Sequence, residues 1–99
     1  MRAKQISIEA QLFAAEQERL RLSRIEMMIR ELLRSVAGLE VEIAAEESRV
    51  RIYDPRHVAY STYARAAWRR RDNLLRTIGE LRRNGAAQNL LPHETLKSH

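Results

Sequence analysis

The chain has 99 residues, of which 44% are hydrophobic, 5% aromatic and 31% charged, with three glycines, two prolines and a net charge of +5. That composition belongs to long helices, where helix propensity is high and punctuation scarce, and it argues against a compact domain around a sizeable core. The lack of cysteine excludes disulfide frameworks, thiolate zinc sites and a cysteine nucleophile.

The chain begins Met1-Arg2-Ala3-Lys4, which resembles the basic start of a signal peptide. Glu9, Gln11, Glu16 and Glu18 then interrupt the apolar stretch that should follow, so secretion is not expected. No uncharged run approaches the ~20 residues needed to span a bilayer, and a cytoplasmic protein without membrane insertion is expected. From residue 5 to 52 the pattern is helical, an element of roughly 70 Å at 1.5 Å per residue. Leu22, Ile25, Ile29, Leu32, Val36, Leu39 and Ile43 recur at alternating steps of three and four, and Val50 continues the series past a polar interruption at Glu46. A helix keeps such positions on one stripe only by supercoiling against another helix. Glu26–Arg30 and Glu47–Arg51 have the spacing of supporting ion pairs. Gly38, inside this arm, costs about 1 kcal/mol relative to alanine and is read as tolerated. Ile6, Phe13, Leu20 and Met27 form a second stripe at seven-residue spacing, besides Leu12. Apolar helix surface without a partner marks an interface, so these four are candidate partner-binding residues.

Tyr53-Asp54-Pro55-Arg56 is the strong boundary. Asp is a favoured N-cap and Pro suits the first helical position, giving a turn over 53–56 and a second helix over 57–83. A competing start lies at Ser61-Thr62. The second helix has its own register: Tyr60, Ala64, Ala67, Arg71, Leu74, Ile78 and Leu81. Folding about residue 54 sets Arg71 opposite Leu39 to Ile43, within reach of Glu40 or Glu42. Charged residues within a seam lower stability but specify register, which makes Glu46 and Arg71 candidate register-setting residues. Asn84-Gly85 reads as a helix stop, and residues 84–99 as a disordered tail. The expected fold is all-α: an antiparallel two-helix coiled-coil hairpin over 5–83, long in its first arm and shorter in its second. Residues 5–24 are left uncovered.

Nothing converges into an active site. His57, His93 and His99 lack a second ligand at helical spacing, the glycines stand alone, and the carboxylates from Glu40 to Glu47 read as a solvated or salt-bridged face. No enzymatic activity, metal, cofactor or small-molecule ligand is expected. Tyr60, Tyr63 and Trp68 form an aromatic group beside Arg69-Arg70-Arg71. These rings either cover the edge of the hairpin or, with Arg69 and Arg70, bind a protein partner, since Trp, Tyr and Arg are enriched at binding hot spots. Nucleic-acid association is the weaker reading, because acids of the first arm offset the basic charge. A homo-oligomeric scaffold formed through residues 5–24 is a further alternative.

Around the turn the sequence carries more than heptads. Asp54, Pro55, His57, Ala59, Tyr60, Tyr63, Ala64 and Ala66, followed by Arg70, Arg71, Asn73 and Leu74, resemble the turn and second helix of the flagellar export protein FliJ family in its alphaproteobacterial form. There a DP-x-H-x-AY-x-x-YA-x-A stretch follows a long first helix, and relatives tend to carry proline where this chain has Ser61. The resemblance spans about residues 5–83. It implies a non-catalytic, two-helix component of the flagellar type III export apparatus, peripheral at the cytoplasmic face of the inner membrane. Its implied partners are the export ATPase, the export gate and export chaperones. The family's second helix is about as long as its first, whereas the register here stops near Arg83.

Overall fold

The computed structural model describes the backbone of residues 2–97 and the side chains of residues 7–86. Two helices, α1 (Arg2–Val50) and α2 (Thr62–Lys97), lie side by side in a thin rod of 74 × 29 × 12 Å. They run antiparallel: Ser61, at the start of α2, bonds Glu46 near the end of α1, while Gly85 packs on Leu22 much earlier in α1. Between those two contacts both helices advance by the same number of residues, so the pairing keeps one register.

Both heptad series form the seam. Val36, Leu39 and Ile43 of α1 are buried, as are Tyr60 at the end of the connection and Ala64, Ala67 and Ile78 of α2. Leu22, Ile25, Ile29, Leu32 and Val50, with Leu74 and Leu81, are half-buried along the same line. Leu39, Ile43 and Ala67 make the central cluster, and Trp68 and Leu74 pack against it. Full burial of a leucine or isoleucine contributes about 1.5–3 kcal/mol, and among the described residues this single line of side chains is the apolar core. The small Ala64 and Ala67 near the turn let the two backbones approach.

The helix ends differ from the sequence reading. Helix α1 stops at Val50 rather than 52, because Arg51 turns into the left-handed region at φ 60°. Its N–H still donates to the Glu47 carbonyl at 2.7 Å, closing the last turn. Pro55 then disfavours helical geometry at Asp54. The connection is not a tight turn over 53–56 but spans 51–61, with hydrogen bonds from His57 N–H to the Asp54 carbonyl (2.9 Å) and from Tyr60 N–H to the His57 carbonyl (3.0 Å). Asp54 is not the N-cap, since its Oδ1 is occupied within the connection by the Arg56 N–H at 2.9 Å. Ser61 is the cap: its Oγ accepts from the Ala64 N–H at 3.1 Å, and its carbonyl accepts the first helical bond from Arg65.

The second correction concerns the far end. Helix α2 does not stop at Arg83, and residues 84–97 are helical rather than a disordered tail. Gly85 fails as a stop because it falls on the next seam position after Leu81. It is buried there, with Leu22 Cδ2 only 3.7 Å from where a Cβ would stand. A glycine stop needs a positive φ, and none of the glycines has one. The second arm is therefore longer than its heptads suggested, though still the shorter of the two.

Two substitutions test this account of the backbone. Arg51→Gly removes the strain of a side chain in the left-handed region and should stabilise the hairpin by about 1 kcal/mol. Gly38→Ala introduces a Cβ into open space and should stabilise α1 by roughly 0.5–1 kcal/mol. Thermal unfolding followed by circular dichroism measures both; a lowered melting temperature in either variant contradicts the geometry described.

Candidate functional site

Along the seam near the turn, four glutamates of α1 are bonded across to the end of the connection and to α2. Glu47 accepts from the Tyr60 hydroxyl at 2.6 Å, Glu46 from the Ser61 hydroxyl at 2.5 Å, Glu42 from the Tyr63 hydroxyl at 2.7 Å, and Glu40 from Arg71 Nε at 2.8 Å. The acidic cluster is thus neither simply solvated nor left for an outside ligand; it ties the two helices together. Glu46 and Arg71 lie in the seam as their registers placed them, each half-buried. Arg71 takes Glu40 of the two acids within its reach, contacts Asp72 at 3.4 Å, and stacks 5.0 Å from the Trp68 ring. Glu46 also holds Arg49 at 2.8 Å. These hydrogen bonds from Arg49 and Ser61 hold the Glu46 carboxyl well below the usual carboxylate range, at about 2.

The aromatic group is absorbed by the same network. Trp68 Nε1 donates to the Tyr60 hydroxyl at 2.9 Å, and that hydroxyl donates onward to Glu47. Tyr60 is 4% exposed, and its phenol is pushed up first by burial and then by the neighbouring Glu47. Its expected role at a partner surface is corrected accordingly: the ring is inside the hairpin. Trp68 is half-buried. Tyr63 remains exposed, and its hydroxyl, bonded to Glu42, is pushed up by that contact. Arg69 and Arg70 are exposed on α2.

The expected i,i+4 ion pairs are not made. Glu47 turns to Tyr60 and Arg51 leaves the helix, while Glu26 and Arg30 form no ion pair among the described residues. Instead Glu16–Arg19, Glu18–Arg21 and Glu46–Arg49 pair at i,i+3.

The apolar stripe of α1 is largely uncovered. Leu12 and Phe13 are each 66% exposed, Ile8 51% and Met27 55%. Leu20 is half-buried, and the side chain of Ile6 lies outside the described residues. Met27 and Met28 line an open depression of ≈ 290 Å³ with Arg24 and Glu31. Methionine adapts its shape to what packs on it, and with Leu12 and Phe13 these residues give the first half of α1 an exposed apolar face. Ile8 sits on the seam register itself yet is exposed, which places the limit of close pairing between Ile8 and Leu22.

Sequence reasoning put Glu46 and Arg71 in the seam and Phe13 and Met27 on an exposed face, but did not foresee the hydroxyl bonds of Tyr60, Ser61 and Tyr63 to Glu47, Glu46 and Glu42. A signal existed: Glu40 and Glu47 stand seven residues apart, both adjacent to seam positions. Among the described residues no cluster of histidine and carboxylate side chains suits a metal ion, and no helix is long and apolar enough to cross a membrane. The chain matches no protein-family model, no curated protein and no solved structure.

The lowered Glu46 pKa sets a pH dependence. A carboxylate that ionises more readily in the folded chain contributes stability above the ordinary carboxylate range, and loses it as pH falls through that range toward about 2. The melting temperature of the native chain should therefore fall over this window more steeply than that of Glu46→Gln. Parallel curves for the two proteins would refute the assignment.

Proposed function

We propose that this protein is a non-catalytic component of the bacterial flagellar type III export apparatus. In this reading the apolar face of α1 docks an export ATPase, an export gate or an export chaperone. Its place is in the cytoplasm, peripheral to the inner membrane. The observation that carries the docking reading is the exposure of Leu12 and Phe13 on the first half of α1, next to a seam that is packed elsewhere. Large apolar side chains grouped on a helix surface mark an interaction site. The assignment to flagellar export rests on the turn-region resemblance, from Asp54 to Leu74, and is supported by the antiparallel two-helix hairpin.

The decisive measurement is deletion of the gene followed by swimming and flagellin-secretion assays. Loss of both, restored by the native chain but not by Leu12→Asp/Phe13→Asp, is expected. That double variant should melt like the native protein, because both side chains are already exposed. Normal swimming and secretion in a deletion strain with no second copy of the gene would falsify the reading. Sedimentation of the purified chain separates docking from self-pairing. A native dimer that becomes a monomer in the double variant would instead assign the face to a homo-oligomeric scaffold.

A further inference from the structure

The outer face of α2 carries a row that the hairpin does not use. Arg69, Arg76 and Arg83 are seven residues apart and all exposed. Each stands five residues beyond one seam residue (Ala64, Arg71 or Ile78) and two beyond another (Ala67, Leu74 or Leu81). At 3.6 residues per turn both steps lead to the side of the helix away from α1. Arg70 and Arg82 flank the row, and neither makes a hydrogen bond or ion pair within the described residues. Arg76 holds only the Asn73 side chain, at 3.2 Å, and the Arg83 guanidinium lies over Gly79, 3.5 Å from where a Cβ would stand. Contrast Arg71, which is in the seam and neutralised by Glu40 and Asp72.

We propose that this arginine row is a docking surface for an acidic helix of another protein, one with carboxylates at seven-residue spacing. Three features favour that occupant. A helix repeats every seven residues with a step of about 10 Å, the same step as the row, so each guanidinium meets one carboxylate along a parallel axis. The face is not all of one sign: Asp72 and Glu80 are exposed on opposite sides of the row, which repels a continuous phosphate surface but accommodates a helix with bases at the two matching positions. Finally, the row lacks the large apolar side chains that anchor an amphipathic helix in a bilayer; Leu75, 36% exposed, is the nearest and lies to the side. The surface is separate from the apolar face of α1, and the proposal stands or falls independently of the role in export.

The test uses the full chain and two labelled synthetic helical peptides of identical composition. One carries three glutamates seven residues apart; the other has them distributed around the helix. Fluorescence anisotropy at low ionic strength should show the aligned peptide binding about tenfold more tightly, with the advantage lost as salt rises. The triple variant Arg69→Glu/Arg76→Glu/Arg83→Glu, its helix content checked by circular dichroism, should lose that binding. No binding of either peptide, equal binding of the two, or unchanged binding by a folded triple variant overturns the proposal. So does displacement of the aligned peptide by duplex DNA or phosphatidylglycerol vesicles at lower charge concentration, which would reassign the row to phosphate.

Discussion

The hydroxyl of Ser61 occupies the point where the two helices become one structure. It accepts the Ala64 N–H, which starts α2, and it donates to Glu46, which belongs to α1. A capping bond to the same chain specifies where a helix begins, and a bond across the seam specifies which residue of the first helix lies opposite that beginning. With both made by one oxygen, the start and the register of α2 are set together. An antiparallel pair with a single line of apolar contacts has little else to prevent it from slipping, since each heptad resembles the next. The neighbouring bonds from Tyr60, Tyr63 and Arg71 repeat the same constraint further along.

This arrangement explains why the rod's chemistry faces outward. Inside the seam the charged groups are matched, Glu46 with Ser61 and Arg49, and Arg71 with Glu40. What is left over separates by helix. Helix α1 presents apolar surface in its first half, and α2 presents arginines along its back.

Much of the pairing was legible in the spacing of residues. The steps of three and four from Leu22 to Ile43, and from Tyr60 to Leu81, mark the seam because only supercoiling keeps them on one stripe. Arg71 was expected within reach of Glu40 or Glu42 for the same reason. Boundaries were harder to read. Asp54-Pro55 has the chemistry of a helix start, but Asp54 spends its oxygen on Arg56 and leaves the cap to Ser61. Asn84-Gly85 has the chemistry of a helix stop, yet seam packing on Leu22 outweighs a local preference of about 1 kcal/mol. The aromatic group divided in a way that residue types do not reveal: Tyr60 is buried while Tyr63, one turn on, stays exposed.

By itself, then, the sequence determined that there are two helices, that they pair with each other, and which stripe of each faces the partner. Those properties follow from periodicity, which is local and survives any choice of ends. Only the tertiary structure decided where the helices begin and stop, how far α2 covers α1, and which of the acids and rings near the turn are consumed by the pairing. These depend on what each polar side chain finds opposite it: Ser61 finds Glu46, Tyr60 finds Glu47, and Gly85 finds Leu22. A hydroxyl or a glycine has no fixed reading until its neighbour across the seam is in place.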